Sequence, residues 1–392
     1  MKQRGFPDRE NKGGTILFYL IQNADVYAPE HLGMRDILLC NDKIIQVAEH
    51  IDFSFDGLVT IDAQGKKAIP GLIDQHVHIT GGGGESSFKS RAPELTLTDC
   101  IESGVTTLVG LLGTDSMTRS VANLVAKTKA LNSEGITAYC LTGAYECPSP
   151  TLTGAVDNDI IFIEEVIGVK IAITDHRSSN ISAAELSRLA TQVRLASLVG
   201  GKVGEVHMHT GHGKKGLSDV FQVLEESDIP IKHFRPTHIQ NVLEDGVRFA
   251  NMGGYIDFTS TDPVSVAKLI AETLPKVPFD RVTLSSDSNG SMPQWNEKNE
   301  VVGITVAKMT SLFSCVRELV QHNGVRLEDA LRLVTQNVAT ALEIYPQKGC
   351  LAPNSDADLI LLDDSMRFDT LFAKGRLMMQ NGEILVHGYY GK

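Results

Sequence analysis

The middle of the chain alternates between apolar, strand-like runs and segments whose apolar residues recur with a helical period. VTTLVGLLG precedes SVANLVAKTKALNSEG, and VIGVKIAI precedes AAELSRLATQVRLASLVGG. Such β-then-α units predict parallel strands that are joined by helices. About eight of them over roughly 270 residues favour a closed (β/α)8 TIM-like barrel, whose active site lies at the carboxyl ends of its strands. An open doubly wound sheet is the alternative.

Both ends of the chain read instead as short strands that are separated by turn-forming residues. Asn41-Asp42 and Gln64-Gly65 divide the N-terminal runs, and Gln380-Asn381-Gly382 is typical of a hairpin. We therefore predict a small β-sandwich domain built from residues 1–69 and 346–392. Residues 70–345 would form the barrel, in which we expect a long helix to start at Ile304.

Composition narrows the class of protein. The chain has 392 residues, of which 42% are hydrophobic and 21% charged, as in ordinary globular proteins. A net charge of −12 argues against nucleic acid or an anionic membrane as a partner. The apolar run Ile16–Ile21 is too short for a signal peptide or a membrane span. Six cysteines without a CxxC pair indicate reduced thiols in a cytoplasmic protein, and none is assigned to a metal.

Metal-binding residue types occur where the predicted barrel strands end. In GLIDQHVHITGGGGE, His76 and His78 are two residues apart, so both side chains point to one face of a strand. Alone, a histidine at a strand end is more often a hydrogen-bonded structural residue, and a lysine in an apolar strand more often extends to its end. The joint pattern favours a metal site; its members are His76, His78, Lys170, His207, His209, His238 and Asp287.

The order HxH, Lys, His, His, Asp on βα units resembles the amidohydrolase superfamily. Within it, the chain resembles the isoaspartyl dipeptidases (β-aspartyl peptidases) through GLIDQHVHITGGGGE, GLLGTDS, LTGAYECPS, IGVKIAITDHRSS, RPTHIQN and LSSDSNGS. These stretches cover the predicted barrel. ADLILLDDS and AKGRLM extend the likeness to the C-terminal strands.

The resemblance implies a binuclear metal centre with two Zn²⁺ per chain. Lys170 would bridge the ions after carbon dioxide has carbamylated (N6-carboxylated) its amine. Burial among Val, Ile and Ala would favour this reaction by lowering the pKa of the lysine. Nitrogen and oxygen donors of this kind suit zinc. His207 matches no family ligand and is interpreted as structural; the other implied ligands are His76, His78 and Asp287 for one ion, and His209 and His238 for the second.

The resemblance also implies the reaction, which is hydrolysis of small β-aspartyl dipeptides by a hydroxide that bridges the metals. Asp287 would carry the proton to the leaving amine, and Tyr145 would hydrogen-bond the carbonyl oxygen as it becomes an oxyanion. The implied substrate contacts are Glu85 with the α-amino group, Arg177 with the carboxylate of the leaving residue, and Gly83, Gly84, Thr114 and Ser291 with the α-carboxylate of the aspartyl residue.

One position departs from the family pattern. Asn241 stands where relatives carry a second arginine, three residues after the histidine of PTH. Arg235, just before that motif, could reach the substrate or could be a surface residue at a strand end. The leaving-group contact is therefore the part of the site that the resemblance predicts least well.

Two rival functions remain at this point. A cyclic-amide hydrolase of the dihydroorotase or hydantoinase kind is disfavoured by Glu85 and Arg177, because a cyclic amide has no free amine for Glu85. A non-catalytic assembly protein with the same fold is disfavoured by the complete set of metal-centre residues. The family forms homo-oligomers, and the resemblance implies the same here.

Overall fold

In the computed structural model, residues 17–85, 87–295 and 301–389 are described, and the chain begins there with five strands. β1 pairs with β2 in antiparallel fashion and with β4 and β5 in parallel. Asn41 and Gly65 have φ values of 50° and 80°, which fits the two predicted turns. The strands are β1 Phe18–Tyr27, β2 His31–Cys40, β3 Lys43–Ala48, β4 Leu58–Asp62 and β5 Lys67–Pro70.

Eight parallel strands then form the predicted barrel. They pair in sequence order, and a bridge between Val77 and Ser288 joins the first strand to the segment that follows the last. Most are buried along their whole length, as strands between an interior and an outer helical layer should be. They are β6 Leu72–Val77, β7 Val105–Gly110, β8 Thr137–Gly143, β9 Val166–Ile173, β10 Glu205–Thr210, β11 Phe234–Thr237, β12 Ile256–Thr259 and β13 Val282–Ser285.

Helices connect these strands and cover the barrel. Ser182 begins the longest of them with a capping box, in which its hydroxyl accepts from the Glu185 amide and the Glu185 carboxylate accepts in return. Gly201 ends that helix in the left-handed conformation. The helices up to the last barrel strand are α1 Leu97–Glu102, α2 Val121–Glu134, α3 Val156–Phe162, α4 Ala183–Gly200, α5 Ser218–Glu226, α6 Leu243–Asn251 and α7 Pro263–Thr273.

The alternative of an open sheet is wrong, although GHGKKG (Gly211–Gly216) between β10 and α5 has GxGxxG spacing. Packing explains its first two glycines. A Cβ atom on Gly211 would lie 2.4 Å from a carboxylate oxygen of Asp175, and one on Gly213 would lie 2.4 Å from the carbonyl oxygen of Thr174. Close approach between two loops, rather than a nucleotide, accounts for this motif.

The expectation of a long helix from Ile304 is wrong. β14 Ser291–Trp295 and β15 Val301–Val306 form an antiparallel hairpin, and the helix begins only at Ser311. The run VVGITV is rich in β-branched residues, which favours a strand. Three helices complete the barrel: α8 Ser311–His322, α9 Leu327–Arg332 and α10 Gln336–Ala341.

The chain returns to the terminal domain, as predicted. β16 pairs with β5, so strands from both ends of the chain share one nine-stranded sheet with an apolar cluster of its own that includes Ile21, Ile37 and Phe372. Positions 1–16 and 390–392 of the predicted domain lie outside the described residues. The last strands are β16 Leu359–Leu362, β17 Phe368–Ala373, β18 Arg376–Gln380 and β19 Glu383–Ile384.

Two smaller expectations concern membranes and cysteines. Within the described ranges, no helix combines the length and the apolar character that crossing a bilayer requires. All six cysteines are free thiols.

Candidate active site

The carboxyl ends of β6, β11 and β13 bring three predicted metal ligands together. His76 lies in β6, while His238 and Asp287 follow β11 and β13 in the left-handed conformation, each with a φ of 56°. Non-glycine residues adopt this conformation rarely, and often at functional sites. One ligand atom of each of the three residues lies within 4.8 Å of the others, which leaves space for one cation among them.

His78 and Lys170 border this cluster. His78 Nε2 and His76 Nε2 lie 3.1 Å and 3.3 Å from Asp287 Oδ1. Lys170 Nζ lies 3.4 Å from His76 Nε2. A Cβ atom on Gly113 would lie 2.8 Å from the His78 ring, so glycine at this position gives the imidazole its space. The structure thus brings five of the six predicted ligands together in one cluster.

Burial favours the neutral form of the Lys170 amine. Its side chain is fully enclosed, and desolvation lowers its pKa to about 7, against the opposing pull of Asp287, Asp257 and Glu205. A substantial fraction of the Lys170 amine is therefore neutral near pH 7, and the neutral form is the one that can attack carbon dioxide.

The donor set fits a divalent cation. Burial lowers the pKa of His76 and of His238 well below the ordinary histidine value, so both imidazoles are neutral. Burial opposes ionisation of Asp287, but the nearby His76 and His78 imidazoles lower the pKa of its carboxyl well below the usual range. In addition, Asp287 Oδ1 and His78 Nδ1 are buried without a hydrogen-bond partner. Such orphaned groups in a ring of N and O donors suit a metal site.

His209, the sixth predicted ligand, stands at the edge of the cluster. Its ring centre is 4.5 Å from that of His238, but Nε2 lies 2.9 Å from Asp175 Oδ2 and Nδ1 lies 2.7 Å from the Tyr145 hydroxyl. Asp175 therefore orients His209, in the way that carboxylates orient metal-bound histidines elsewhere.

Asp175 is a residue that the sequence analysis missed. Arg177 donates to it from Nε and from Nη2, both at 2.9 Å. Burial opposes ionisation of Asp175, but the hydrogen bonds from Arg177 and His209 lower the pKa of its carboxyl strongly. Burial likewise opposes the charge of Arg177, yet the Asp175 carboxylate raises the pKa of the guanidinium. An acid two residues before the predicted substrate arginine, in DHR, was the available clue.

The Tyr145 side chain is a neutral phenol, whose hydroxyl can both donate and accept a hydrogen bond. Burial raises its pKa well above the ordinary value for tyrosine. The Arg177 guanidinium lies 5.3 Å and Lys170 Nζ lies 5.8 Å from the centre of its ring. A neutral O–H at this position can stabilise a developing oxyanion.

A polar pocket lies beside the cluster and gathers the other predicted substrate residues. Glu85 Oε1 accepts hydrogen bonds from Ser291 Oγ at 2.7 Å, Thr114 Oγ1 at 3.3 Å and Arg177 Nη1 at 3.3 Å. Side chains from four segments that are distant in sequence therefore meet at one carboxylate group. We call these four residues the Glu85 pocket.

The conformation of the loop before Glu85 explains why it contains glycines. Gly83 and Gly84 have φ values of +97° and +100°, and a Cβ atom on Gly83 would lie 2.1 Å from the Ser90 carbonyl oxygen. The Gly84 amide already donates to Ser90 Oγ at 3.2 Å. Glycine is therefore needed to fold this loop against residue 90 and to bring Glu85 into the pocket.

Neither expectation for Arg235 is correct. This arginine is fully buried inside the barrel, where it donates to Gln75 Oε1 at 3.1 Å and to the Ala341 carbonyl at 2.9 Å. Arg235 lies on β11 opposite His207 of β10, so its side chain points into the barrel. Asn241 is also engaged within the protein, since its Nδ2 donates to the Thr210 carbonyl at 2.8 Å.

A layer of buried polar residues below the cluster was also missed. Asp257 accepts hydrogen bonds from four side chains, and Asp74 accepts from the hydroxyl and the amide of Ser286. The clue was a carboxylate inside an apolar strand, in GLID and in YIDF. The four donors to Asp257 are Gln75, Thr237, Thr283 and Ser285.

Comparison with known proteins agrees with this geometry. The sequence profile described as "Amidohydrolase family" matches residues 68–378. The chain is also similar to a crystal structure of β-aspartyl dipeptidase from the thermophilic, keratin-degrading Fervidobacterium islandicum AW-1 in complex with β-Asp-Leu dipeptide. The identity is 40%, the TM-score is 0.88, and the match covers 94% of this chain and 98% of that one.

Two further matches bear on the rival functions. A second structure of β-aspartyl dipeptidase from the same organism shows 38% identity and a TM-score of 0.86, with the same coverage of 94% and 98%. An L-hydantoinase of Paenarthrobacter aurescens is 21% identical over 95% of this chain and 97% of its own length. The resemblance that the motifs indicated is confirmed.

Proposed function

Since the chain belongs to the amidohydrolase family, we propose that it is a metal-dependent hydrolase of β-aspartyl (isoaspartyl) dipeptides. One observation carries the proposal. The Glu85 pocket offers an acid and an arginine for the two ends of a zwitterionic substrate. Its Arg177 Nη2 lies 3.3 Å from His209 Nε2, at the edge of the cluster of buried histidines, Lys170 and Asp287.

The proposed cofactor is a pair of divalent cations, which we take to be zinc from the nitrogen and oxygen donors. When bound, such ions lower the pKa of a water molecule and polarise the scissile carbonyl. Lys170 would act as an anionic ligand in its carbamylated form. The other residues that would hold the ions are His76, His78, His209, His238 and Asp287.

Asp287 and Tyr145 would handle charge at the reacting amide. The ionised Asp287 carboxylate would accept the proton of the attacking water and deliver it to the leaving nitrogen. The Tyr145 hydroxyl would donate to the carbonyl oxygen as negative charge develops there. Its present contact with His209 Nδ1 would be exchanged for this hydrogen bond.

The substrate would replace contacts that the protein makes within the pocket. Its α-ammonium group would bind Glu85, and the carboxylate of its leaving residue would take the Arg177 Nη1 donor that now faces Glu85. Asp175 would hold the opposite edge of the guanidinium in place. Thr114, Ser291 and the backbone at Gly83 and Gly84 would contact the aspartyl α-carboxylate.

A hydrolysis panel tests the function. We expect β-Asp-Leu to be cleaved, and α-Asp-Leu and N-acetyl-β-Asp-Leu to be nearly inert, because the first misplaces the amide and the second lacks the ammonium group. Measured kcat/KM values for these substrates and for dihydroorotate decide between the candidates. Preference for dihydroorotate would identify a cyclic-amide hydrolase, in line with the hydantoinase relative. No turnover and no bound metal would indicate an assembly protein.

Replacing Arg177 by methionine should lower kcat/KM for β-Asp-Leu by about 30-fold or more, since a buried charged contact is worth about 2–5 kcal/mol. Arg91→Met is a matched control, because Arg91 is a nearby arginine whose guanidinium contacts Asp115 and Thr118. Metal content must be measured in parallel, as Arg177 also contacts His209.

C-terminal amidation of β-Asp-Leu refines this prediction. Asn241 and Arg235 are engaged elsewhere, so Arg177 alone would hold the carboxylate of the leaving residue. Amidation should therefore lower kcat/KM by a smaller factor than it does in relatives with two arginines. An equally large penalty would mean that another cation contacts the carboxylate.

We also infer a cytoplasmic location and a homo-oligomeric state. The six free thiols fit a reducing compartment. On the outer helical layer, Leu195, Leu198 and Val199 of α4 are 57%, 66% and 76% exposed, which is the kind of apolar surface that subunit contacts cover.

A further inference from the structure

Below the candidate metal centre, Glu205, His207 and His76 form a hydrogen-bonded row inside the barrel. Glu205 and His207 are two residues apart on β10, and both are fully buried. His207 Nδ1 lies 3.0 Å from Glu205 Oε1, and His207 Nε2 lies 3.0 Å from His76 Nδ1. The remaining nitrogen of His76, Nε2, is the one that faces Asp287 and Lys170.

One assignment of protons satisfies the whole row. An ionised carboxylate can only accept, so His207 donates its Nδ1–H to Glu205. A neutral His207 then has a lone pair on Nε2, which accepts the Nδ1–H of His76. His76 is left with its lone pair on Nε2, on the side where a metal would bind. Reversing the row would place a hydrogen on that nitrogen and would prevent coordination.

Arg235 favours the first assignment. Its Nη2 lies 3.6 Å from Glu205 Oε2, and both side chains are completely enclosed. Burial raises the pKa of the Glu205 carboxyl, whereas Arg235 and Lys170 favour its ionised form. The contacts of Arg235 with Gln75 and Ala341 fix its guanidinium at this position. Arg235, which the sequence left open as a substrate contact, thus lies instead beside the carboxylate at the end of this row.

We propose that His207 is a positioning residue, which, backed by Glu205, holds His76 in the Nδ1–H tautomer and so directs Nε2 to the metal. The inference rests on the proposed metal-dependent function. It replaces the interpretation of His207 as merely structural. His233 shows what a structural histidine looks like in this fold: it is also buried, its Nδ1 contacts the Gly204 carbonyl at 2.6 Å, and its Nε2 faces Arg194 Nη1 at 3.5 Å rather than another histidine.

Zinc affinity of two variants tests the inference, measured by reconstituting the apo-protein against a competing chelator. His207→Phe keeps an aromatic ring but removes the acceptor, and should weaken binding of one of the two ions by about 10–100-fold, as loss of such a partner does elsewhere. His207→Gln can present a carbonyl oxygen to the His76 Nδ1–H and should recover most of the affinity. His233→Gln is the matched control and should bind zinc like the wild type.

A second measurement covers the case in which His207→Phe does not fold. In ¹⁵N-histidine NMR of the zinc-loaded wild type, with the signal assigned through His207→Gln, His207 should carry its proton on Nδ1. A proton on Nε2, or unchanged zinc affinity in folded His207→Phe, would overturn the inference while leaving the proposed function intact. Wild-type protein that bound no metal would overturn both.

Discussion

Replacing Lys170 by alanine is expected to remove most of the bound metal and nearly all hydrolysis of β-Asp-Leu. The substitution removes the amine whose carbamate would supply an anionic ligand amid neutral imidazoles. The loss should exceed the roughly 10–100-fold effect of partners that only orient ligands. Elemental analysis and kcat/KM measure it. Short carboxylic acids, which can enter the vacated volume and offer a carboxylate, should restore part of both.

Lys348→Met is the matched control for this substitution. Lys348 is also a buried lysine, but it pairs with Asp356 and Asp358 near the terminal sheet at 2.7 Å and 2.6 Å. The control should lower stability and leave metal content unchanged. Reconstitution with ¹³C-labelled bicarbonate should give a carbamate NMR signal in the wild type and none in Lys170→Ala. Full metal occupancy in Lys170→Ala would contradict the proposed role.

The second large effect is expected for Asp287→Asn. This substitution keeps the shape of the side chain but removes the carboxylate that would accept and return the proton. General acid–base catalysis contributes about 10²–10⁴-fold in rate, so kcat should fall by this order while KM changes little. The pKa of the Asp287 carboxyl, which His76 and His78 hold well below its usual range, keeps this group ionised across the neutral range and so able to accept a proton.

The kcat of Asp287→Asn can be interpreted only together with its metal content, because Asp287 is also a proposed ligand. Rates should therefore be compared at equal, measured zinc content. Asp262→Asn provides a control, since Asp262 caps α7 and asparagine caps a helix equally well. A kcat for metal-loaded Asp287→Asn within a few-fold of the wild type would mean that the proton moves through another group.

The positions of the candidate ligands could be predicted because they depend on local rules. Side chains alternate along a strand, so HVH places His76 and His78 together, and parallel strands deliver their carboxyl ends to one rim of a barrel. Chain order and residue type were enough to bring His238 and Asp287 to the same point. The Glu85 pocket was less predictable, since only its members and not their mutual contacts were foreseen.

The errors have a common physical origin. Arg235, Asp175 and the Glu205–His207 pair acquire their roles from partners on other strands or loops, and no local pattern shows which charged side chain will be paired inside the barrel. The hairpin of β14 and β15 likewise depends on pairing between two segments, whereas the apolar run at Ile304 alone fits either a helix or a strand.

The sequence by itself determined the barrel, the terminal β domain and the kinds of group that surround the site, because periodicity, turn residues and ligand chemistry are local properties. Only the tertiary structure decided the finer arrangement: Asp175 orients His209 and Arg177, Asn241 binds the Thr210 carbonyl, and Arg235 lies below the site and not beside the substrate. These outcomes depend on which buried polar groups satisfy one another. Burying an unpaired charge is costly, and its partner is chosen by proximity in space across long separations in sequence.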